Sequence, residues 1–463
     1  MTEQLKLKLN DSKATRWGAL VIVAFTMMAA YYVNDVVAPL KTMLETDLAW
    51  SSTDFGFFTG GYSFLNVFFL MLIWGGLILD RFGIRFTGKL ATILMVGGTA
   101  LEYYAMTGLA GADATLFGIN EIFGYKTGVF VAFAGYSIFG VGAEVAGITV
   151  SKIIAKWFKG KELATAMGVQ VALARIGSQA GYAVAIPLAR AFGISTPVLL
   201  GLVLLLGGMI AFFIFAVMDK KLDKQMEAAA IAGGTEDEEE KFSFKDVKNI
   251  LVNPGFWLIA LLCVLFYSCV FPFQKFASEL MIIKYGINEN VAGTFAGLPA
   301  LGALILTPVF GGFIDKRGKS ASIMLLGSAM LICVHFIYAI PDINYWLVAI
   351  VLMIILGIAF SLVPSAMWPA VAKIFPVSQL GTAYALIFFI QNIGLWGIPT
   401  LIGWVLDAYC ISGKKPDGTN MYDYTVPMCI FTGIACLSLI VALLLKKADK
   451  KYGYKLEEPN IQK

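Results

Sequence analysis

The sequence predicts an all-α polytopic membrane protein, with twelve transmembrane helices arranged in two pseudo-symmetric six-helix bundles. Three observations support this fold class. Of the 463 residues, 59% are hydrophobic and 14% are charged, which is more apolar surface than a soluble chain of this length buries. The apolar residues form runs long enough to cross a bilayer, which takes about 20 residues. The two halves of the chain also share a repeated motif.

Twelve apolar runs follow one another along the chain. Their limits are 16–40, 54–79, 86–109, 127–154, 163–189, 195–217, 254–282, 290–314, 320–340, 344–372, 378–406 and 423–445. A transmembrane β-barrel would show short alternating segments instead. The runs therefore predict helices.

The longest polar segment, residues 218–253, divides the twelve runs equally. It contains the acidic stretch "GGTEDEEEKFSFKD", which is typical of a solvated cytoplasmic linker. We therefore predict an N-terminal bundle over 1–217, a C-terminal bundle over 254–446 and a cytoplasmic tail over 447–463.

Most of the 35 Lys and Arg residues lie at one end of the predicted helices, together with both termini. The loops that we assign to the other end contain Lys41, Lys126, Arg190, Lys275, Lys284, Lys414 and Lys415. Because cytoplasmic loops carry an excess of Lys and Arg, the asymmetry predicts that both termini are cytoplasmic. Because this topology explains the distribution of the basic residues, nucleic-acid binding is not needed to explain them.

The repeated motif follows the second run as "GGLILDRFGIR" (75–85) and the eighth as "GGFIDKRGKS" (311–320). Both copies read G-x-x-x-D-[RK]-x-G. A carboxylate in such a loop can accept hydrogen bonds from a neighbouring helix N-terminus and pair with a cation. We predict conformational latches formed by Asp80, Arg81 and Arg85 in the first copy and by Asp315 and Lys316 in the second. The alternative is a charge cluster that only fixes orientation.

Each copy of this motif lies between the second and third helix of a repeat. With two such copies, the sequence resembles the major facilitator superfamily over essentially the whole chain. The resemblance implies two six-helix repeats around a midplane binding site, which open alternately to the two sides of the membrane.

Charged residues within a membrane usually mark function. Glu144 in the fourth run and Arg175 in the fifth lie equally far from the polar turn between them. At 1.5 Å per residue both lie roughly 16 Å from their helix ends, and therefore at the same depth. They either form a buried ion pair that holds two helices together or face a watery cavity and bind the two ends of a zwitterionic ligand. Buried pairs stabilise weakly, which favours the second interpretation.

Other polar and aromatic residues lie at similar depth, and we predict that they also contact the ligand. They are Asn34 and Asp35 in the first run, Tyr62 and Asn66 on one face of the second, Tyr267 in the seventh, Trp368 in the tenth and Asn392 in the eleventh. When the two halves are aligned, Asn392 occupies the position of Arg175. Because Asn392 is neutral, we assign recognition of the ligand's charges to the first half.

The segments "YYVNDVVAPL", "WFKGKELATAMGVQVALARIGS" and "QLGTAYALIFFIQNIGLWG" are similar to the branch of the superfamily typified by lysosomal dipeptide transporters. This resemblance implies that Glu144 and Arg175 engage the two termini of a dipeptide, and that transport is facilitated diffusion by a uniporter.

The expected function is thus dipeptide transport by rocker-switch alternating access. One alternative is a proton-coupled symporter, in which Asp35 or Glu144 carries the proton. A second is an organic-anion porter, in which Arg175 clamps a carboxylate and Glu144 only positions Arg175. A third, of another class, is a non-transporting membrane sensor or assembly factor. We do not expect an enzyme, catalytic residues, a metal site or a cofactor.

The expected partners are a dipeptide and the lipid bilayer, and the expected oligomeric state is a monomer. The pattern N-x-[ST] occurs only at Asn10, in the predicted cytoplasmic segment. We therefore expect no accessory glycoprotein partner and favour a bacterial inner (plasma) membrane over a lysosomal one.

Overall fold

The structure is a computed structural model that describes residues 8–111, 114–158, 161–233 and 244–460. Its first half consists of α1 (Lys13–Val36), a 3₁₀ turn (Ala38–Leu40), α2 (Lys41–Leu48), α3 (Ser52–Phe68), α4 (Met71–Thr107), α5 (Thr127–Trp157), α6 (Leu163–Phe192) and α7 (Thr196–Gly233). The second consists of α8 (Phe244–Val252), α9 (Pro254–Tyr285), α10 (Glu289–Ala296), α11 (Leu298–Arg317), α12 (Ser320–Ala339), α13 (Trp346–Ile374), α14 (Val377–Tyr409) and α15 (Thr425–Tyr452).

The all-α prediction is confirmed, and the helices correspond to the twelve apolar runs. Within the described residues, nine helices are long and apolar enough to cross a membrane. The bent pair α3 and α4 passes the same test together as one broken span, and Gly83 (φ 74°, ψ 174°) divides α4 between the second and third apolar runs. The remaining span is α6, which has 30 residues and includes Arg175 among its polar positions.

Local sequence signals place several helix ends. Ser51 and Asp54 form a capping box at the start of α3, which satisfies backbone N–H groups that a helix start leaves unpaired. The Asn253 side chain caps α9, where Pro254 is the first residue, and Gly286 ends that helix in the left-handed conformation (φ 61°). The seventh span therefore continues several residues beyond its predicted end.

Both described ends of the chain lie at one face of the molecule, which we name the terminal face. Arg16 near the start of α1 donates to Glu162 before α6 at 2.8 Å, and Tyr454 after α15 donates to Asn253 before α9 at 3.0 Å. The hydrogen bonds from Arg16 hold the pKa of the Glu162 carboxyl below its ordinary value.

The other ends of the helices form the opposite face. Two short hairpins lie there, β1 (Glu121–Ile122) with β2 (Tyr125–Lys126) and β3 (Ile411–Lys414) with β4 (Asn420–Tyr422). Hydropathy patterns did not predict these strands, because each is only two to four residues long.

The two halves pack tightly near the opposite face. A Cβ on Gly56 of α3 would lie 2.4 Å from the Pro399 carbonyl oxygen of α14, and a Cβ on Gly293 of α10 would lie 2.2 Å from the Tyr182 carbonyl oxygen of α6. Only glycine permits these backbone approaches. The structure therefore shows a conformation in which the halves are closed together at the opposite face.

Four charged residues, which we name the opposite-face charge cluster, join the halves at the same level. Lys41 Nζ of α2 lies 2.6 Å from Glu45 Oε1 and 2.5 Å from Glu279 Oε2 of α9. Lys415 Nζ lies 3.6 Å from both carboxylates. The predicted loop position of Lys41 is wrong, because the residue begins α2 and its side chain is buried.

Candidate functional site

A cavity of about 640 Å³ lies between the halves, within the usual volume range of ligand pockets. Six of the residues predicted from the sequence line it, namely Asn34, Tyr62, Glu144, Arg175, Tyr267 and Trp368. The cavity also reaches Ser151, which is exposed toward the terminal-face end of α5. It is therefore on the terminal-face side of the contacts that close the opposite face.

Glu144 lies on α5 with its side chain half-buried at the cavity wall. Its Oε1 accepts a hydrogen bond of 3.0 Å from the Tyr62 hydroxyl of α3. The hydroxyl orients the carboxylate and leaves its second oxygen atom available to a ligand. A carboxylate of this kind suits an ammonium group.

Arg175 lies on α6 and contacts aromatic rings from both halves. Its guanidinium carbon is 5.5 Å from the centroid of the Tyr31 ring and 4.9 Å from that of the Phe360 ring. These distances are within the range of cation–π attraction. Aromatic faces support the cation without neutralising its charge, so the guanidinium can still bind a carboxylate.

Glu144 and Arg175 form no ion pair with each other within the described part of the chain. Each charge instead has a neutral aromatic neighbour, which is Tyr62 for Glu144 and Tyr31 for Arg175. Both charges line the same cavity. The arrangement is thus one anion and one cation that face a shared space, not an ion pair that holds two helices together.

Asp35 lies behind the cavity wall in a buried polar cluster. Its Oδ1 accepts from Asn34 Nδ2 at 2.8 Å and lies 3.1 Å from Lys275 Nζ, while its Oδ2 accepts from Ser178 at 2.5 Å. Lys275 also donates to the Asn34 carbonyl oxygen at 2.6 Å. The Asp35–Lys275 pair therefore links α1 of the first half with α9 of the second.

Lys275 is a site residue that the sequence analysis missed. We placed it in a loop, but it lies inside α9, is buried and lines the cavity. The signal was already present, because the predicted seventh run, 254–282, contains residue 275, and a charge inside a predicted span usually marks function.

Three predicted residues lie outside the cavity lining, namely Asp35, Asn66 and Asn392. Asp35 is instead paired with Lys275 behind the wall. Asn66 is buried, and neither side-chain polar atom has a hydrogen-bond partner within the described residues. Asn392 is buried and donates to the Phe388 carbonyl oxygen of its own helix at 2.9 Å. Gln391, its neighbour in the chain, lines the cavity instead. The reason is that successive residues of an α-helix point about 100° apart.

The predicted latch residues contact groups within their own half. Asp80 accepts from Lys152 at 3.3 Å, and Arg85 donates to Asp223 at 2.6 Å. In the second copy, Asp315 accepts from Asn460 at 2.7 Å. Arg81 lies over the ring of its neighbour Phe82, and Lys316 is exposed.

Comparison with known proteins agrees with this architecture. A family model described as Major Facilitator Superfamily matches residues 20–399 and 276–458. The human protein named lysosomal dipeptide transporter MFSD1 is 29% identical over 454 residues, which cover 95% of this chain and 88% of the relative. The Danio rerio protein of the same name is 26% identical over 441 residues, which cover 93% and 86%.

Two solved structures have a similar fold. The nucleoside transporter NupG aligns with a TM-score of 0.65 at 12% identity, covering 92% of this chain and 98% of that one. A bacterial homolog to the human lysosomal transporter Spinster, in an inward-facing and unoccupied conformation, aligns with a TM-score of 0.65 at 14% identity, covering 96% and 98%. At these identities the likeness establishes the fold alone.

Proposed function

The chain belongs to the major facilitator superfamily, and we propose that it moves dipeptides across a membrane by alternating access. Transport would be facilitated diffusion, with Glu144 binding the peptide's ammonium group and Arg175 its carboxylate. The names of the relatives support dipeptides as the substrate class.

The observation that carries this proposal is that the two opposite charges share one cavity without neutralising each other. A dipeptide at neutral pH carries one positive and one negative end, separated by neutral peptide atoms. The cavity wall also includes Lys275, but that cation is paired with Asp35. Among the residues that the structure describes, Glu144 and Arg175 are therefore the unpaired anion and cation of the wall, and they complement that charge pattern. Among the neutral polar side chains of the wall, the amides of Asn34, Gln170 and Gln391 suit the peptide bond.

The closed contacts at the opposite face suggest how the second conformation forms. The first half would rotate against the second, separating Lys41 from Glu279 and Asp35 from Lys275. The latch loops at Asp80 and Asp315 would then meet the other half at the terminal face. We further propose that the terminal face is cytoplasmic, which is supported by the excess of Lys and Arg there.

An organic-anion porter would use Arg175 in the same way but would not need a positively charged ligand. Thermal stabilisation of the purified protein by a dipeptide panel distinguishes the two. We expect an N-acetylated dipeptide and a C-amidated dipeptide each to stabilise the protein less than the unmodified peptide. If acetylation has no effect, Glu144 does not bind an ammonium group and the porter is favoured.

Flux in proteoliposomes tests transport itself. We expect uptake of a defined dipeptide that is insensitive to a pH gradient and is lost in Arg175→Ala. Lys221→Ala is the control, because Lys221 is exposed on α7 and lies outside both the cavity lining and the two latch motifs. Unchanged flux in Arg175→Ala would contradict the site. Uptake that a proton gradient drives would identify a symporter, and ligand binding without any flux would identify a sensor.

The chain is a multi-pass membrane protein, and we propose a cell inner (plasma) membrane with cytoplasmic termini. The relatives are named lysosomal, so the lysosomal membrane is the competing location. A fluorescent fusion in the native cell distinguishes the two membranes. A monomer without an accessory glycoprotein is the expected assembly, and the molar mass of the purified protein tests it.

A further inference from the structure

The loop between the third and fourth spans contains a short pattern twice, and the proposed transport cycle uses neither copy. The segments are "LFGI" at 116–119 and "IFGY" at 122–125. The loop lies at the opposite face, between the end of α4 and the start of α5.

Each copy forms a two-residue hairpin turn with both central residues in the left-handed region. Phe117 and Gly118 have φ angles of 53° and 79°, and Phe123 and Gly124 have φ angles of 52° and 81°. Leu116 pairs with Ile119 through two backbone hydrogen bonds of 3.0 Å. Turns of this type favour Asn or Gly at the first central position, and a bulky residue there is a strained outlier.

The chain thus accepts backbone strain twice in order to place a phenylalanine at a turn tip. Both rings point away from the protein, with 95% of Phe117 and 88% of Phe123 exposed. Among the large hydrophobic side chains of the described residues, these two have the greatest exposure. Strain that persists at an exposed position is an indication of function.

The two tips are fixed near the first turn of the fourth span. Thr127, the first residue of α5, donates its hydroxyl to the Ile119 carbonyl oxygen at 2.8 Å. Tyr125 stacks on Phe57 of α3 with ring centroids 3.9 Å apart. The Phe123 ring lies 5.9 Å from that of Phe130, also on α5. Both turns are therefore held close to the level where that helix enters the bilayer.

We propose that Phe117 and Phe123 are an interfacial anchor, inserted at the boundary of lipid headgroups and acyl chains in the leaflet at the opposite face. Aromatic side chains are enriched at this boundary. Leu101 and Tyr104 of the third span are also exposed, on the last turns before the loop. Glu121, exposed between the two turns, would remain in water.

Collision accessibility of a spin label tests the proposal in the full-length protein. Cysteine is introduced at Phe117, Phe123 or Glu121 in a variant whose exposed or half-exposed cysteines are replaced, namely Cys333, Cys429 and Cys436. In liposomes of neutral phospholipid, we expect labels at 117 and 123 to collide with oxygen and to be shielded from a water-soluble nickel chelate. The label at 121 is the control and should be open to the chelate. Chelate access at 117 and 123 would overturn the proposal, and so would shielding from both reagents, which indicates a protein contact.

A double variant separates anchoring from turn formation. Phe117→Asn/Phe123→Asn retains turns of the favoured Asn-Gly composition but removes both rings. We expect its thermal midpoint to equal or exceed that of the wild type in detergent micelles and to fall below it in liposomes. An equal decrease of the thermal midpoint in micelles and in liposomes would show that the rings only support the fold, and the anchor would be rejected.

Discussion

Replacing Glu144 by Gln should weaken the binding of dipeptides that carry a free amine and leave the binding of N-acetylated dipeptides unchanged. The substitution preserves shape and an oxygen acceptor for the Tyr62 hydroxyl, which lies 3.0 Å from Glu144 Oε1. It removes only the negative charge. A hydrogen bond to a charged group contributes about 1.5–3 kcal/mol. Because Glu144 is only half-buried at the cavity wall, we expect the lower end of this range, a loss of about tenfold in Kd.

The mirror-image substitution tests the other end of the ligand. Arg175→Gln should weaken the binding of dipeptides with a free carboxylate and leave that of C-amidated dipeptides unchanged. Isothermal titration of wild type and both variants against the free, acetylated and amidated peptides completes the comparison. If Glu144→Gln weakens the binding of free and acetylated peptides equally, the carboxylate supports the structure of the site and does not contact the peptide's amine. That result would refute the assignment of one charge to each end.

Three other perturbations test contacts that stabilise the observed conformation. Lys275→Met leaves the Asp35 carboxylate buried without its cation, so we expect a destabilisation of about 3 kcal/mol by thermal unfolding; an Asp35→Asn/Lys275→Met double variant should recover most of it. Gly56→Ala places a methyl group against a backbone carbonyl oxygen of α14, so hydrogen exchange at the opposite-face end of α3 should become faster. The Arg16–Glu162 contact should stabilise the terminal face above pH 4.5 and weaken as the pH falls through the lowered pKa of Glu162, so Arg16→Gln should lower the thermal midpoint more at pH 7 than in acid.

The Gly56 and Lys275 experiments each have an internal control. A Cβ on Gly97 meets no atom within 4 Å, so Gly97→Ala should leave hydrogen exchange unchanged. Equal exchange in the two alanine variants would mean that the Gly56 crossing does not hold the halves together. If the Asp35 and Lys275 double variant is no more stable than Lys275→Met, the destabilisation by Lys275→Met does not arise from an unpaired carboxylate.

Hydropathy and one repeated motif were sufficient to predict the helical architecture, because a lipid environment restricts a spanning segment to helices or closed barrels. They missed the short hairpins at the opposite face and the helical position of Lys41. The thickness of the apolar layer does not determine where a helix ends once the helix extends beyond that layer. Polar helix extensions and short turns depend on capping and on tertiary contacts.

Position along the chain predicts the depth of a residue more directly than it predicts the contacts of its side chain. Equal distance from a shared turn places Glu144 and Arg175 at one level, and both line one cavity. Depth along a helix does not determine which way a side chain points, so their separate aromatic partners were not foreseen. The same limit explains why Gln391 lines the cavity in place of Asn392. Lys275 was missed because it was counted with the loop residues, although it lies inside the predicted run 254–282 and inside α9.

The distribution of charge between the halves indicates how a ligand could remain bound while the halves move. Glu144 and Arg175 both belong to the first half, whereas Phe360, Tyr267 and Trp368 of the second present aromatic surface. If both ends of the peptide are held by one half, its charged contacts need not break during rocking. The aromatic wall offers non-directional contact, which tolerates sliding at small cost. The ligand can thus bind both end states with similar free energy, as a transporter requires if it is not to be trapped in one of them.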